Sequence, residues 1–516
     1  MLKKILTSLS LLFLLSSVNA QVKINEYSAS NSGGAILDNT GDNSDWVELY
    51  NTTATAVNLG GWSLSDNPAN LNKYTIPSGI TISPNGFLRI WCSGKGNPAD
   101  AVGHTHASFK LTQCNGDWII LSNGGALKDS VQMRRTQATH SMGRKPDGSA
   151  TWNVFTAPTP NAANSGTGYA SYAPRPVMNL PPGFYSGTKL VALSVTPSNS
   201  LTIYYTTDGS EPTTGSNVYV STPISVATTS VIRAYAVSSD ATILPSFMET
   251  NTYFINETID SHYGVVSISG GAPLNQLLGG TQNTPNTHLE YFENQAFKTE
   301  GYGSANKHGN DSWAYQQRGI DIETFDEYGY NNAYKHQFFS DPNMNVSPRT
   351  EFQHIMVKAA ASDNYSSSNN VGKPSCHMRD AFVQSYQFKS GLELDGRRNK
   401  HVILFKNGAY WGIYELREAF EGDYTDYYYN QPGDSIDNLA YWGSLQIRNG
   451  SDTGWVNLYN FIMANSMTNV ANYAYVDSKL NFKSLVDYMV YNSYVVNSDF
   501  INWNSAWWRG RATQGD

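Results

Sequence analysis

Apolar and polar residues alternate in short runs over residues 21–166 of the chain. The runs cover residues 23–27, 45–51, 59–66, 87–91, 109–111 and 118–121. Gly, Asn and Asp residues separate them. Short alternating runs between turn residues are typical of antiparallel strands that bury one face. The pattern therefore predicts an antiparallel β-sandwich over residues 21–166.

A second β module is predicted over residues 176–256. The preceding segment, residues 161–176, is rich in Ala, Ser, Gly and Pro and indicates a linker. Residues 201–207 then alternate like a strand and end in an Asp208-Gly209 turn. Residues 231–236 and 252–255 supply further apolar runs of strand length.

The pattern changes after residue 259 and predicts an α+β domain over residues 259–516. Its first part reads as strands and turns, and the segment after Asp380 becomes helical. Two apolar runs, residues 402–405 and 410–414, flank an Asn407-Gly408 dipeptide, which is the strongest hairpin signal in the chain.

A further helix is predicted close to the end of the chain. Leu485, Tyr488, Met489 and Val495 recur there at helical spacing. A stripe of this kind is most simply explained as the face of a helix that packs on a core.

The first twenty residues are predicted to be a secretory signal peptide. Lys3 and Lys4 precede an apolar run over residues 5–15, and small residues then lead to a cleavage site after Ala20. The run is shorter than the roughly 20 apolar residues that a transmembrane helix requires. We expect a secreted or cell-surface protein.

Composition narrows the choice of partners. The 516 residues contain 34 Lys and Arg against 42 Asp and Glu, which gives a formal net charge of -8. Such a balance argues against nucleic acid as a partner. Export permits a disulfide, and Cys92 and Cys114 are the plausible pair because both fall in the first module, which leaves Cys376 free.

Two polar clusters in the first module could suggest a metal site. They are Asp38, Asp42, Asp45 and Glu48, and the loop residues His104 and His106. The acidic spacing does not match a calcium-binding EF-hand loop, and Asp38, Asp42 and Asp45 lie among ordinary turn residues, so we interpret this segment as a turn. The two histidines lack a third ligand at suitable spacing, and we interpret them as exposed loop residues.

An Asp and an Asn five residues apart, Asp499 and Asn504, follow the last predicted helix. This is the spacing of a protein-kinase catalytic loop, where the Asp accepts the proton of the attacking hydroxyl and the Asn helps to hold a metal ion on the nucleotide phosphates. Taken alone the spacing is a weak signal, because polar loops rich in Asn and Asp are common.

The two β modules resemble known domains. Three motifs resemble the lamin-tail domain, which implies an immunoglobulin-like β-sandwich: Ile-Asn-Glu at residues 24–26, Asp-Trp-Val-Glu-Leu-Tyr-Asn at 45–51 and Gly-Trp-Ser-Leu-Ser-Asp at 61–66. Residues 201–212 resemble the fibronectin-like C-terminal domain of chitobiases and β-hexosaminidases. Both resemblances imply binding or spacing modules, because the hydrolytic carboxylates of those enzymes lie on a different domain.

The last domain resembles the CotH (spore coat protein H) kinase-like family, which has an atypical protein-kinase fold. Residues 309–313, 377–381, 407–418 and 499–504 carry the resemblance in family order. It implies ATP with Mg²⁺ or Mn²⁺ as cofactors, Asp499 as the catalytic base and Asn504 as a metal ligand. The combination of modules is similar to secreted CotH proteins of Bacteroidetes.

The resemblance does not identify which residue is the phosphate-binding cation or which is the second metal-binding carboxylate. Many family members have Lys after the first motif, whereas this chain has Gln316, Gln317 and Arg318, so Arg318 or Lys335 is expected to bind the phosphates. Asp380 is interpreted as structural, or as part of a helix that faces the nucleotide cleft. The family's second carboxylate motif is not found before Asp516, and we expect the sequence to be a fragment.

Two functions are consistent with these observations. The first is ATP- and metal-dependent phosphoryl transfer to Ser or Thr hydroxyls of extracellular or surface proteins. The alternative is a non-catalytic surface or adhesion protein whose β modules bind glycan or protein. Retention of both Asp499 and Asn504 favours the first, and the scarcity of ATP outside cells favours the second.

Overall fold

The computed structural model describes residues 21–34, 36–96, 105–197, 200–309, 313, 315–341, 346–364 and 375–511. The chain divides into two compact units, Met1–Gly168 and Tyr169–Asp516. The predicted signal peptide and His104 lie outside the described residues. Within the described part of the chain, no helix is both long and apolar enough to cross a membrane.

The first unit is a β-sandwich. Its strands are β1 (Val22–Ser28), β2 (Asp45–Asn51), β3 (Val57–Asn58), β4 (Trp62–Ser65), β5 (Tyr74–Thr75), β6 (Thr81–Ile82), β7 (Phe87–Cys92), β8 (Trp118–Asn123), β9 (Ala126–Gln132), β10 (Ser141–Arg144) and β11 (Trp152–Phe155). One sheet has the order β11-β10-β1-β2-β7, and another has the order β5-β4-β8-β9. The predicted sandwich is confirmed.

The strand predicted over residues 109–111 is wrong. Phe109 and Leu111 are 5% and 6% exposed, but they lie in an irregular segment. The backbone N–H of Leu111 donates to the Asp45 carboxylate at 3.3 Å instead of to a neighbouring strand. Burial of these side chains produced the alternating pattern without strand pairing.

Asp38 and Asp42 lie in a turn, as predicted, whereas Asp45 begins β2. Asp38 Oδ1 accepts hydrogen bonds from the backbone N–H groups of Thr40 (2.8 Å) and Asp42 (3.1 Å). Lys95 forms ion pairs with Asp38 (2.8 Å) and Asp42 (2.7 Å). Glu48 is instead buried within the sheet, where it accepts a 2.6 Å hydrogen bond from the backbone N–H of Asn161.

Two other predictions for this unit are wrong. His106 is fully buried, with Nδ1 2.9 Å from Ser93 Oγ and Nε2 2.5 Å from Asn39 Oδ1, so it is a core residue and not an exposed one. Cys92 and Cys114 are both free thiols. Cys92 ends β7 in the core, where its side chain fills apolar space, and burial raises the pKa of its thiol.

The second unit begins with a β module. Its strands are β12 (Ser171–Tyr172), β13 (Val177–Met178), β14 (Gly183–Tyr185), β15 (Lys189–Val191), β16 (Leu193–Ser194), β17 (Leu201–Thr206), β18 (Asn217–Val218), β19 (Ile224–Val226), β20 (Ser230–Ser238), β21 (Ile243–Leu244) and β22 (Glu249–Ile255). The main sheet has the order β14-β22-β20-β17-β18. The second predicted β module is confirmed.

A closed barrel follows in the order β23-β24-β25-β26-β29-β31-β30. Its strands and neighbours are β23 (Gly264–Ser269), α1 (Gly271–Gly279), β24 (Asn286–Glu293), β25 (Ala296–His308), β26 (Gly319–Thr324), β27 (Tyr334–Lys335), β28 (Glu351–Phe352), β29 (His354–Lys358), β30 (Asn399–Lys406) and β31 (Ala409–Glu418). Buried apolar side chains such as Val266, Ile322 and Leu404 form its core.

The predicted Asn-Gly hairpin joins β30 to β31. Asn407 and Gly408 both have positive φ, +49° and +80°, as a two-residue hairpin turn with the twist of its strands requires. The Asn407 side chain also accepts hydrogen bonds from the backbone N–H groups of Gly270 (3.0 Å) and Gly271 (3.1 Å). The turn therefore also fixes the start of α1.

Five further α-helices lie in the second half of this unit, in the part of the chain that the structure describes. They are α2 (Arg379–Lys389), which precedes β30, and then α3 (Gly422–Tyr429), α4 (Thr453–Ala464), α5 (Val470–Asp477) and α6 (Phe482–Tyr494). A small sheet of β32 (Ile436–Tyr441), β33 (Leu445–Asn449) and β34 (Ser505–Gly510) has the order β33-β32-β34. The predicted α+β organisation is confirmed.

The β module and the barrel share a small apolar core. Phe254 of β22 is fully buried and meets Phe292 of β24 at 5.1 Å and Phe405 of β30 at 4.8 Å, both edge to face. Each such ring pair contributes about 0.5–1.5 kcal/mol beyond the burial of its area. These contacts fix the β module on the outside of the barrel.

Glu290 of β24 is a buried carboxyl at the same junction. Thr252 of β22 donates to it from its backbone N–H (3.1 Å) and from its hydroxyl. Burial raises the pKa of Glu290 to about 8, from an ordinary value of 4.5. Because the folded state holds a proton that the unfolded state releases, the stability contributed by this group is complete below pH 4.5 and is lost as pH rises to about 8.

Between pH 5 and pH 8 we expect Glu290 to lower the free energy of unfolding of the second unit by roughly 1 kcal/mol per pH unit. The melting temperature should fall accordingly. Glu290→Gln keeps the shape of the side chain and an oxygen that can accept from Thr252. It should therefore reduce the dependence of stability on pH. Calorimetry at pH 5, 6, 7 and 8 on both proteins tests it. Equal slopes in the two proteins would contradict the assignment.

Candidate functional site

Asp499 and Asn504 lie together in the loop between α6 and β34. Asn504 Nδ2 donates a 3.1 Å hydrogen bond to Asp499 Oδ2. Asn504 has a φ of +56°, a left-handed conformation that Asn adopts more readily than most residues. Both side chains are exposed. The spacing seen in the sequence therefore corresponds to a closed polar loop with an accessible carboxylate.

Tyr488 of α6 holds this loop in place. Its hydroxyl donates to the carbonyl oxygen of Phe500 at 2.9 Å and lies 2.9 Å from Ser505 Oγ. Ser505 starts β34 and pairs with Tyr441 of β32. The loop is thus anchored to a helix on one side and to a sheet on the other, which is how a catalytic loop is kept in position.

The predicted helix is confirmed, but the interpretation of its apolar stripe as core is wrong. Leu485 and Met489 are each 43% exposed, whereas Tyr491 is buried and donates from its hydroxyl to the Val383 carbonyl oxygen at 2.6 Å. Helical spacing identifies the apolar face, but it does not show whether another element covers that face. In the described residues, α6 contacts α2 through Tyr491 instead.

A cluster of charged residues lies where α2 meets the barrel. Lys358 ends β29, Asp380 is in the first turn of α2, and Arg417 is in β31. Asp380 Oδ2 accepts from Lys358 Nζ and, at 2.7 Å, from Arg417 Nη1. The Lys358 side chain is 20% exposed and that of Arg417 only 2% exposed. One carboxylate therefore joins two barrel strands to a helix.

The pKa values in this cluster follow from burial and charge. Burial alone would raise the pKa of Asp380, but Lys358 and Arg417 outweigh burial and hold this pKa well below its usual range. Burial and the neighbouring Arg417 lower the pKa of the Lys358 ammonium, and Asp380 opposes them. Asp380 therefore favours the charged form of Lys358.

Asp363 fixes the start of α2 and so the position of Asp380. Its carboxylate accepts hydrogen bonds from the backbone N–H groups of Cys376, Met378 and Arg379, each at 2.9 Å. These are N–H groups that a helix start otherwise leaves without partners. The same bonds hold the pKa of Asp363 below its usual range in spite of partial burial.

The two cations predicted to bind phosphates have other contacts. Arg318 donates to the carbonyl oxygens of Trp313 (3.1 Å) and Leu278 (2.9 Å). Lys335 is 3.9 Å from Glu351. Among the described residues no contact joins either cation to Asp499 or Asn504. The sequence analysis did not identify Lys358. A Lys at the end of an apolar strand and an acidic residue at the start of the next helix could have indicated this ion pair.

Two separate features of this domain also occur in phosphoryl-transfer sites, and no contact among the described residues joins them. A Lys on a strand paired with a carboxylate on a helix is the kinase arrangement that places a cation near nucleotide phosphates. Asp499 and Asn504 offer hard oxygen ligands, which suit Mg²⁺ or Mn²⁺ when phosphates and water complete the coordination. No group of three or more His, Cys, Asp or Glu residues suited to a metal is found in the described part of the chain. The side-chain oxygen atoms of Asp499 and Asn504 thus fit the hard metal ion that the family resemblance implies.

Comparison with known families gives three matches. Residues 16–135 match the Lamin Tail Domain. Residues 180–243 match the Chitobiase/beta-hexosaminidase C-terminal domain. Residues 368–515, from before α2 to the end of β34, match the CotH kinase protein family. No curated protein matches the chain. The chain therefore combines a lamin tail domain, a chitobiase/β-hexosaminidase C-terminal domain and a CotH kinase domain, in that order.

Proposed function

We propose that the protein transfers phosphate from ATP, with Mg²⁺ or Mn²⁺, to Ser or Thr hydroxyls of extracellular or surface proteins. The hydrogen-bonded pair of Asp499 and Asn504 in an exposed, anchored loop carries this proposal. Asp499 accepts the proton of the attacking hydroxyl, and Asn504 contributes an oxygen ligand to the metal. When bound, ATP would supply the phosphoryl group and the metal ion would neutralise the negative charge of its phosphates.

Lys358 is the cation that we propose for the nucleotide phosphates. Its pairing with Asp380 on α2 is the observation that supports this role. Arg318 and Lys335 remain predictions for the same role, and Arg318 could hold a phosphate as a bidentate donor. A variant series at the three positions separates them, because only the phosphate-binding cation should change the affinity for ATP.

The cellular location is also part of the proposal. Lys3, Lys4 and the apolar run over residues 5–15 support export with cleavage after Ala20. The N-terminal sequence of the protein recovered from the culture medium tests this directly. A mature protein that begins at Gln21 is expected, and an uncleaved protein retained in the cells would contradict it.

ATP binding is the first property to measure. At an ATP concentration one hundred times Kd, ligand binding adds about 2.7 kcal/mol to the stability of the folded state. We expect an upward shift of at least about 2 °C in the melting temperature with ATP and Mg²⁺ or Mn²⁺. Thermal melts with ATP alone, with metal alone and with both are the comparison. Equal melting temperatures under all conditions would contradict nucleotide binding.

Binding without catalysis is a second candidate function. It is favoured by an open cleft between the β module and the barrel, lined by residues of both. Binding of a partner in this cleft would not require ATP. A chain that binds its partner through this cleft but does not transfer phosphate would be a non-catalytic surface protein that binds protein or glycan.

A further inference from the structure

An open cleft lies beside β13. Its volume is about 360 Å³, and its lining comes from β13, the following Pro-rich turn, β22 and β25. Sites for small ligands or single side chains typically fall at about this volume or above it. Because the β module is fixed on the barrel by the shared apolar core, the two walls of the cleft are held at a constant distance.

The rim of the cleft is apolar and accessible. Val177 is 61% exposed and Phe297 is 37% exposed, and Pro181 and Pro182 extend the same surface. The cleft therefore has an apolar mouth and charged groups inside. This combination suits a ligand with a hydrocarbon stem and a polar tip.

The cationic group in the cleft is already engaged. Arg175 Nη1 lies 3.5 Å from Glu249 Oε2, and its Nη2 donates to the carbonyl oxygen of Gly329 at 2.7 Å. The guanidinium also lies over the ring of Tyr330, 4.4 Å from its centre. Arg175 therefore has contacts on several sides and is a fixed part of the wall.

The second carboxylate, Glu300, has a neutral partner. Its Oε2 lies 3.1 Å from His288 Nε2. His288 is fully buried, and burial lowers the pKa of its ring, so it carries no charge at neutral pH. The Glu249 and Glu300 side chains are 24% and 33% exposed, so both are accessible from the cleft. Two carboxylates thus face one guanidinium.

Above about pH 7 the cleft holds two carboxylates and one guanidinium. Burial raises the pKa of Glu249 to about 7 in spite of Arg175, and the charge of Glu300 adds to the effect. A second cation between the two carboxylates would offset their repulsion and their loss of hydration.

We propose that this cleft binds an ammonium or guanidinium group on an unbranched aliphatic stem, presented as a Lys or Arg side chain by an extended segment of a partner protein. The charged tip pairs with Glu249 and Glu300, and the stem packs on Val177 and Phe297. A free diamine has the same tip, but its second charge would lie against the apolar rim. A side chain continues instead into a backbone and apolar neighbours that the rim can contact.

Binding of a short peptide to the full chain tests the proposal. The probe is acetyl-Val-Lys-Val-amide, compared with acetyl-Val-Gln-Val-amide, 1,5-diaminopentane and N-acetylglucosamine, by calorimetric titration at pH 8. We expect the Lys peptide to bind at least about tenfold more tightly than the other three. Its affinity should increase from pH 6 to pH 8, because Glu249 loses its proton over that range.

Three variants locate the site. Glu249→Gln and Glu300→Gln should each weaken the Lys peptide by about five- to tenfold, and Glu249→Gln should also reduce the pH dependence. Val177→Ser, on the exposed rim, should weaken it a few-fold without any effect on folding. Glu351→Gln, a 65% exposed carboxylate paired with Lys335, is the matched control and should bind normally.

The results separate this proposal from the proposed kinase activity. Asp499→Asn should bind the Lys peptide as the wild type does, because the cleft does not use the loop between α6 and β34. Equal binding of the Lys and Gln peptides would overturn the proposal. Tighter binding of the diamine, or binding of the sugar alone, would also overturn it and identify a different ligand.

Discussion

Asp499→Asn is expected to lower the rate of phosphate transfer by about 10²–10⁴-fold, the range that a general base supplies. The substitution keeps the size of the side chain and removes the group that accepts the proton. Asp499 is exposed, and the hydrogen bond that it accepts from Asn504 lies in an exposed loop. The substitution should therefore leave the fold intact. Transfer of radiolabelled γ-phosphate to a Ser- and Thr-containing protein measures the rate.

The control for this prediction is Asp477→Asn. Asp477 is an exposed carboxylate at the end of α5, and it carries no proposed role. Its variant should transfer phosphate at the wild-type rate. If Asp499→Asn and Asp477→Asn are equally active, Asp499 is not the base. If Asp499→Asn is inactive and its melting temperature also falls strongly, the loss reflects folding and Asn504→Ala becomes the test of the site.

Asp380→Asn is expected to have the largest effect on the stability of the second unit. The change leaves Lys358 and Arg417 facing each other with their shared counter-ion removed. Breaking a buried ion pair costs about 3–5 kcal/mol, and the partial exposure of Asp380 reduces this to roughly 2–4 kcal/mol. Urea denaturation should show a lower midpoint with an unchanged slope.

Glu351→Gln is the comparison for Asp380→Asn. The pair of Glu351 and Lys335 spans 3.9 Å with side chains that are 65% and 44% exposed, and its loss should cost less than about 1 kcal/mol. The double variant Lys358→Met with Asp380→Asn should lose less stability than the two single variants together, because they remove one interaction. Additive losses would show that Lys358 and Asp380 do not act as a pair.

Several features of the fold could be read from the sequence because they depend on neighbours along the chain. The Asn407-Gly408 turn requires two residues that tolerate positive φ, and the dipeptide specifies them. The alternation over residues 45–51 became a strand for the same local reason. The offset of Asp499 and Asn504 is also local, since one loop sets their distance.

Other features depended on residues far apart in sequence. The strand predicted over residues 109–111 failed because Phe109 and Leu111 fill a core without strand pairing. His106 is a buried residue because Asn39 and Ser93 converge on its ring from other parts of the chain. Helical periodicity identified the apolar side of α6, but only the packing showed Leu485 and Met489 to be exposed.

The sequence by itself therefore determined the order of the modules, the hairpin turn and the closely spaced pair Asp499 and Asn504, because short-range spacing and turn chemistry decide these. The pairing of Lys358 with Asp380 and Arg417 was decided by the tertiary structure. The tertiary structure also determined the cleft that brings Glu249 of the β module together with Glu300 of the barrel. Charges from separate strands and helices meet only when the chain folds, and there burial raises the pKa of Glu249 while the two neighbouring cations lower the pKa of Asp380.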